Sequence, residues 1–461
     1  MHVQQLRLTW YGDDFTGSTD AMEALTLAGI PAALFLDVPE PAELAQLIGI
    51  EAIGIAGNTR AMDPASIDRT LLPVLEGLKA LNAPICHYKV CSTFDSSPEI
   101  GSIGRSIELG RCVFGNHPVP LLVGAPALGR YSLFGNLFAR SGRESEVFRL
   151  DRHPTMQHHP VTPMDESDVR LHLARQTDLN VGLFDIVSIR SNDARDRLIA
   201  MIHEDQPDIV LFDILEDSDL PRIGELIEAM RPEGIRQFAA GSSGIEYALS
   251  AWWRENGEMS DSESDFSIDH VEQTVVVSGS CSPVTARQIE HACNNGFMQI
   301  PLKPERLLSD DSRAMEIERA VEAAREAMSS GESVILHSCL GPDDPRRSAV
   351  AAILEKQGWT PLDIRLRSGE ILGNALGTIL REVLAPTSIS RAMVAGGDTS
   401  YHVAKTLGIR SLTMVAPTAP GSPLCRASAQ GSPIDGNEIV FKGGQVGSIG
   451  FFDSVRTGSF A

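Results

Sequence analysis

Short, continuous apolar runs alternate with amphipathic stretches along the chain, and this alternation limits the possible folds more than any other feature. One amphipathic stretch, 18–29, predicts a helix that ends at Gly29, and another predicts a helix over about 283–294. Continuous apolar strands are typical of sheets covered by helices on both faces, so the sequence predicts the α/β class with largely parallel sheets. The predicted strands are 6–11, 32–36, 52–56, 85–90, 120–126, 180–187, 208–215, 236–241, 274–279, 333–338, 391–397 and 411–417.

An acidic, serine-rich stretch interrupts the alternation at 254–270. A chain of 461 residues exceeds the size at which one core stops growing. We therefore expect two α/β domains, 1–255 and 271–461, joined by an acidic linker over 256–270. Ligand sites occur preferentially between domains, so we expect the functional site in an inter-domain cleft.

Charge and cysteine usage exclude several classes of protein. The net charge of -22 disfavours nucleic acid or an anionic membrane as the main partner. No apolar run is long enough to span a bilayer, and the first residues lack the pattern of a signal peptide. Seven scattered cysteines without a CxxC pair fit reduced thiols better than disulfides or a metal site. We expect a cytoplasmic protein without a protein-bound metal cluster.

The first predicted strand ends in two adjacent carboxylates, Asp13 and Asp14, followed by Thr16 and Gly17. Paired carboxylates suit a general base with a hydroxyl acceptor, or Mg²⁺ ligands. Capping of the following helix is the alternative, evenly balanced for Asp14 and favoured for Thr16. Two adjacent charges are one more than a cap needs, which favours a chemical role for Asp13.

Basic and hydroxyl side chains follow two further strands. Arg60 and Lys89 are able to bind a carboxylate, although each taken alone is more often a solvated surface residue. Lys89 is followed by a polar segment that includes Ser92, Thr93 and Asp95. Because ligands bind beyond the carboxyl ends of parallel strands, we expect these side chains at one site.

Three glycine clusters in the second half resemble phosphate-binding turns. A strand runs into glycine and small hydroxyl residues and then into a helix at "VVVSGSCSP" and again at "MVAGGDTS", and "FKGGQVGSIG" adds a third cluster. Glycine lets the backbone approach an anion, and a helix N-terminus offers free N–H groups. None of the three fits a Walker A or GxGxxG pattern, and each alone could be a tight turn. Together they favour a nucleotide.

The complete set of motifs resembles the four-carbon acid sugar kinases. The family's DDxTG, "R" after a strand, YK…ST and PA…GR motifs correspond to "DDFTG" (13–17), "NTR" (58–60), "YKVCST" (88–93) and "GAPALGR" (124–130). The resemblance implies an N-terminal acid-sugar domain and a C-terminal ATP domain. It assigns nucleotide contacts to Ser278, Gly279, Ser280, Gly396, Gly397, Asp398, Thr399, Gly421, Gly443 and Gly444.

One segment departs from the family pattern. Where typical members have YKKxDSTLRGN, this chain has "YKVCSTFDSSP", so Val90 and Cys91 replace a lysine and an aspartate, and Asp95 falls where the family has arginine. If the lost basic residues hold the substrate's anionic group in relatives, this chain should take a differently shaped or charged sugar acid.

We therefore expect an ATP- and Mg²⁺-dependent kinase acting on a hydroxyl of a 3-oxo-tetronate, threonate, erythronate or a branched relative such as 3-oxo-isoapionate. In this hypothesis Asp14 is the catalytic base, and Asp13 accepts a second hydroxyl. The remaining contacts to the sugar acid come from Arg60, Lys89, Ser92, Thr93 and Asp95. An Mg²⁺-dependent phosphatase and a non-catalytic small-molecule sensor are the alternatives. The sequence leaves open whether the protein is a homodimer.

Overall fold

The protein consists of two compact units, Met1–Ser264 and Asp265–Ala461, in a computed structural model. The structure describes residues 6–140, 146–158, 161–259 and 266–460, so the 260–265 part of the expected linker lies outside the described residues. Both units have α/β architecture with largely parallel sheets, which confirms the predicted fold class. Among the described residues, no helix combines the length and apolar character needed to cross a bilayer.

The N-terminal unit contains eight adjacent strands that all pair in parallel, in the order β2-β3-β1-β4-β11-β5-β10-β9 among the described residues. Three further strands, β6-β7-β8, form a small antiparallel sheet. The strands are β1 (Leu8–Gly12), β2 (Ala32–Phe35), β3 (Ala52–Ala56), β4 (Ile85–Lys89), β5 (Val119–Leu122), β6 (Arg130–Leu133), β7 (Asn136–Arg140), β8 (Val147–Arg149), β9 (Val181–Phe184), β10 (Ile209–Phe212) and β11 (Gln237–Gly241).

Helices connect these strands and bury the apolar sheet faces. Helix α1 begins at Phe15, three residues earlier than predicted, because the capping side chain precedes it. The helices are α1 (Phe15–Leu27), α2 (Pro41–Leu44), α3 (Pro64–Ala80), α4 (Ile103–Phe114), α5 (Val169–Leu173), α6 (Ile186–Ile189), α7 (Ala194–Asp205), α8 (Leu220–Ala229) and α9 (Gly244–Glu255).

The C-terminal unit has a mixed sheet with the order β13-β14-β12-β15-β18-β17-β16. The first five strands pair in parallel and the last two pairings are antiparallel. The strands are β12 (Val275–Ser278), β13 (Phe297–Pro301), β14 (Ser333–His337), β15 (Arg391–Ala395), β16 (Ser411–Ala419), β17 (Ser422–Ser428) and β18 (Glu438–Lys442). The helices are α10 (Pro283–Cys293), α11 (Pro304–Leu307), α12 (Asp310–Ser329), α13 (Pro345–Lys356), α14 (Pro361–Leu384), α15 (Gly397–Thr406) and α16 (Phe451–Thr457).

Candidate functional site

The carboxyl ends of β1, β3 and β4 place the first group of candidate residues side by side. Gly12, the last residue of β1, is in register with Ala56 of β3 and with Lys89 of β4. Main-chain bonds continue this register, because Asp13 N donates to Lys89 O at 2.9 Å and Arg60 N donates to Asp13 O at 3.0 Å. Residues 76 positions apart in the sequence therefore meet at one sheet edge.

Arg60 binds both members of the carboxylate pair. Its Nη2 donates to Asp13 Oδ1 at 2.6 Å and to Asp14 Oδ1 at 2.8 Å, and its Nε donates to Asp13 Oδ2 at 3.2 Å. The side chain of Asp13 is 2% exposed and that of Asp14 is 18% exposed. Arg60 therefore neutralises the repulsion between two neighbouring charges that burial would otherwise make costly.

The two carboxyl groups differ in acidity. Burial raises the pKa of Asp13 to about 6, despite the opposing effect of Arg60. Burial acts in the same direction on Asp14, but Arg60, Lys89 and the hydrogen bonds from Thr16 and Gly17 outweigh it and lower the pKa of Asp14 below its usual value. Asp14 therefore stays ionised under conditions in which Asp13 takes up a proton.

Asp14 is also the N-cap of α1. Its Oδ1 accepts a hydrogen bond from Gly17 N at 2.9 Å, and its Oδ2 accepts one from Thr16 Oγ1 at 2.8 Å. The expectation that Thr16 caps this helix is therefore wrong, because Thr16 lies inside the first turn and donates to the capping carboxylate. Capping and chemistry are compatible for Asp14, since a carboxylate has about four acceptor positions.

Lys89 is buried at the end of β4 and is paired with Asp20 of α1, a residue that sequence reasoning missed. Its Nζ lies 3.1 Å from Asp20 Oδ2 and donates to Val90 O at 3.2 Å. Burial would lower the pKa of Lys89, but the nearby Asp20 and Asp14 carboxylates raise it. Spacing gave no signal for Asp20, because a separation of six residues from Asp14 is neither of the i,i+3 and i,i+4 spacings that bring helix side chains together.

The segment after β4 folds into a tight turn that carries the three remaining candidates. Thr93 Oγ1 donates to Asp95 Oδ1 at 2.8 Å, and both side chains are buried, whereas Ser92 is half-buried. Phe94 adopts a φ of 58°, a left-handed conformation that is uncommon for a bulky residue. A main-chain hydrogen bond from Phe94 N to Cys91 O at 2.9 Å closes the turn.

In the C-terminal unit the three glycine clusters meet at one sheet edge. Ser278 of β12 is in register with Ala395 of β15, which is in register with Lys442 of β18. Gly279 approaches Thr399 so closely that a Cβ there would lie 2.2 Å from Thr399 Oγ1. The backbone of Gly396 has a φ of 125°, which favours glycine.

The other predicted nucleotide contacts lie around this edge. A Cβ on Gly444 would lie 2.7 Å from Ser280 Oγ, so these two turns touch. Gly397 and Asp398 form the first turn of α15, Gly443 follows β18 directly, and Gly421 lies in the turn between β16 and β17. The N-termini of α10 and α15 also begin here, which adds free N–H groups for an anion.

Lys442 is a second residue that sequence reasoning left out of the candidate site. Its side chain is fully buried, and its Nζ donates to Thr285 Oγ1 at 3.1 Å and to Gly443 O at 3.0 Å. Burial lowers the pKa of Lys442 to about 7. A lysine that ends an apolar strand, directly before two glycines, was the signal available in the sequence.

Comparison with known proteins matches each of the two units to a known domain family. Residues 8–249 match a sugar-binding N-terminal domain family, and residues 275–452 match a nucleotide-binding C-terminal domain family. A 3-oxo-isoapionate kinase of Paraburkholderia graminis is 47% identical over 99% of this chain and 95% of its own length. A 3-oxo-tetronate kinase of Pseudomonas savastanoi pv. phaseolicola is 28% identical over 95% of this chain and 94% of its own.

Two solved structures share the fold. A Salmonella typhimurium protein described as a putative tRNA synthase superposes with a TM-score of 0.75 at 24% identity, covering 97% of this chain and 98% of its own. A Haemophilus influenzae protein superposes with a TM-score of 0.68 at 21% identity, covering the same shares. The paired domain matches and the full-length relatives agree with the resemblance drawn from the motifs. The chain belongs to the four-carbon acid sugar kinase family.

Proposed function

We propose that this protein transfers the γ-phosphoryl group of ATP to a hydroxyl group of a short sugar acid, with 3-oxo-isoapionate as the first candidate substrate. The observation that supports this most directly is the convergence of three glycine-containing turns on one sheet edge of the C-terminal unit. The relative named for 3-oxo-isoapionate supports the choice of substrate, because its similarity extends over the entire chain.

In this proposal Asp14 accepts the proton of the attacking hydroxyl. Its carboxylate is more exposed than that of Asp13, and its lowered pKa keeps it ionised near neutral pH. A weak base is sufficient, since phosphoryl transfer depends mainly on positioning and on charge neutralisation. Asp13 is buried with both oxygens on Arg60, so we assign it to orienting Arg60 rather than to binding a second sugar hydroxyl.

Arg60 and Lys89 contribute positive charge to the transferred phosphoryl group. Among the described residues no acceptor binds Arg60 Nη1, which leaves two N–H groups for a ligand oxygen. Lys89 Nζ would lie 3.3 Å from a Cβ on Gly17, so it reaches the start of α1 beside Asp14. Ser92, Thr93 and Asp95 are proposed to contact the remaining hydroxyl groups of the sugar acid.

Mg²⁺ is part of the proposal as the ion that accompanies ATP. Among the described residues, no group of three or more His, Cys, Asp or Glu side chains is arranged to hold a metal. Mg²⁺ does not require such a group, because in kinases it is usually bound mainly by phosphate oxygens and water. The proposed location is the cytoplasm, supported by cysteines that are thiols rather than disulfides. The predicted domain boundaries, the inter-domain cleft and a homodimer remain predictions.

The test is ADP release in a coupled assay with Mg²⁺-ATP and a panel of sugar acids. The panel contains 3-oxo-isoapionate, the 3-oxo-tetronates, threonate and erythronate. Turnover with one of these acids supports the proposal and names the substrate. Thermal stabilisation by ATP without turnover on any acid would retain the nucleotide site and contradict the substrate class. Release of phosphate from phosphorylated acids without ATP would favour the phosphatase alternative.

A further inference from the structure

Resting on the proposed function, we propose that Arg130 binds the carboxylate of the sugar acid and thereby selects acids over neutral sugars. Arg130 is the first residue of β6 and follows the tight turn "GAPALG". The turn is closed by two main-chain bonds, from Ala125 N to Arg130 O at 3.0 Å and from Arg130 N to Ala125 O at 3.1 Å. A left-handed Gly129, with a φ of 68°, completes it.

Arg130 differs from the other candidate cations, Arg60 and Lys89, because its guanidinium lacks an acidic partner. Among the described residues no carboxylate lies within 4.0 Å of it, whereas Arg60 is paired with two aspartates and Lys89 with one. Arg130 Nη1 donates to the main-chain oxygens of Leu128, Gly129 and Arg140, and Arg130 Nε is buried without a hydrogen-bond partner. Burying a cation with an unpaired hydrogen-bond donor costs free energy unless an anion binds to it.

The position of Arg130 joins it to the candidate site. β5, which precedes its turn, pairs with β11, and β11 pairs with β4, so the carboxyl ends of these strands are neighbours. Asp95 and Cys91 lie within electrostatic range of Arg130, and Cys91 also lies within that range of Arg60. The segment from Cys91 to Asp95 therefore lies near Arg130, and its first residue, Cys91, also lies near Arg60 of the candidate site.

This arrangement gives the two ends of a sugar acid different partners. The carboxylate of the sugar acid binds Arg130, and its reacting hydroxyl is directed to Asp14. The other hydroxyl groups form hydrogen bonds with Thr93 and Asp95. The segment 90–96 contains no lysine or arginine, so the positive charge beside it comes from Arg130 on a different turn.

The experiment compares Arg130→Gln and Arg130→Lys with Arg140→Gln as the matched control. Arg140 is exposed and lies in the same small sheet. The substrate is the acid with the highest kcat/KM in the panel, beginning with 3-oxo-isoapionate, together with its uncharged primary amide. Loss of a charge-assisted, buried contact should raise the KM for the acid about 10- to 100-fold in Arg130→Gln. The KM for ATP should stay constant, and Arg130→Lys should recover part of the loss.

The preference for acid over amide separates substrate binding from a structural role. The wild type and Arg140→Gln should prefer the acid, and Arg130→Gln should lose most of that preference, because the amide never used the positive charge. An unchanged preference in Arg130→Gln would overturn the inference. If that variant does not fold, the neutral Arg130→Met takes its place, and an unchanged preference for the acid in Arg130→Met would overturn the inference. A wild type inactive on all acids would instead contradict the proposed function itself.

Discussion

Arg60 Nη2 lies 2.6 Å from Oδ1 of Asp13, yet the pKa of Asp13 is raised to about 6. The ion pair therefore only partly offsets the cost of burying the carboxylate. Since Asp13 also orients Arg60, its protonation should weaken the contacts of Arg60 with Asp14 and with the substrate. A drop in pH through about 6 should thus protonate Asp13 and change the geometry of the proposed reaction centre.

The first prediction is an acidic limb in kcat/KM with an apparent pKa of about 6. Activity should fall as pH drops through this value, because Asp13 becomes protonated while Asp14, with its lowered pKa, stays ionised. Asp14→Asn should lower kcat by about 10²- to 10⁴-fold across the pH range. Asp13→Asn should retain more activity and lose the limb. Activity of each variant from pH 5 to 8 measures both effects.

Stability provides the control for these two variants. A carboxyl group with a raised pKa makes a contribution to stability that is lost as pH rises from about 4 through about 6. Asp13→Asn imitates the protonated group, so its melting temperature should match or exceed that of the wild type at pH 7.5. At pH 5, where the wild-type carboxyl group is itself protonated, the difference in melting temperature between variant and wild type should be smaller. If Asp13→Asn were inactive and Asp14→Asn active, Asp13 would be the catalytic base and Asp14 the residue that orients Arg60.

The second prediction uses two glycines of the proposed nucleotide site that differ in the space around them. A Cβ on Gly279 would lie 2.2 Å from Thr399 Oγ1, whereas a Cβ on Gly397 would meet no atom within 4 Å. Gly279→Ala should therefore lower the melting temperature and weaken ATP binding. Gly397→Ala should keep the melting temperature and should weaken ATP binding only by intruding on the phosphates. Thermal melts and ATP titrations of both variants test this difference.

Removing the clashing atom should reverse part of the effect. Thr399→Ala deletes Oγ1, so the double variant Gly279→Ala, Thr399→Ala should be more stable than Gly279→Ala alone. A Gly279→Ala variant with wild-type stability and ATP affinity would contradict the close approach of the two turns.

Much of this architecture followed from the sequence. The apolar runs predicted the parallel strands, because a strand covered on both faces must be apolar throughout. The strand β13 was missed, since three of its five residues are exposed and Gln299 interrupts the apolar run. The small antiparallel sheet was also missed, because its strands are short and only partly buried.

The proximity of Asp13, Asp14, Arg60 and Lys89 was predictable, because each lies at or shortly after the end of a strand. Asp20 was not predicted, because a helix turn separates it from the strand end, and Arg130 entered the sequence analysis only as part of a family motif. The pairing of Arg60 with both aspartates could not be predicted either, since it depends on the register between β1 and β3. Sequence spacing gives candidate residues, but tertiary contacts decide which charges remain available.

The third prediction concerns Lys442, whose ammonium group is buried without a carboxylate within 4.0 Å among the described residues. Because its pKa is lowered to about 7, Lys442 is largely neutral at pH 7.5. ATP phosphates nearby should raise this pKa, so ATP binding should take up as much as about 0.7 of a proton. Calorimetric titration of ATP in buffers with different ionisation enthalpies measures this uptake.

The matched control for Lys442 is Lys405, an exposed lysine on α15. Lys442→Met should abolish the proton uptake and weaken ATP binding, whereas Lys405→Met should leave both unchanged. Equal uptake in the wild type and in Lys442→Met would show that the phosphates lie away from this side chain.

The fourth prediction concerns Cys281, which directly follows Ser280 in the proposed phosphate-binding turn. The neighbouring Cys339 thiol and the nearby Arg347 guanidinium lower the pKa of Cys281 to about 7, whereas burial raises the pKa of Cys91 to about 11. Iodoacetamide should therefore modify Cys281 fast at neutral pH, with half the maximal rate near pH 7. The measurement is mass spectrometry of the alkylated peptide in a Cys112→Ser background, since Cys112 is exposed whereas Cys281 is half-buried.

Bound nucleotide should protect this thiol, because ATP and Cys281 would occupy the same turn. At an ATP concentration ten times its Kd, occupancy alone should slow alkylation about tenfold. The effect should require Mg²⁺-ATP and should not arise with the sugar acid alone. Alkylation that proceeds at the same rate with and without saturating ATP would place the phosphates elsewhere on the sheet edge, and would contradict the assignment of Ser278, Gly279 and Ser280 to the nucleotide.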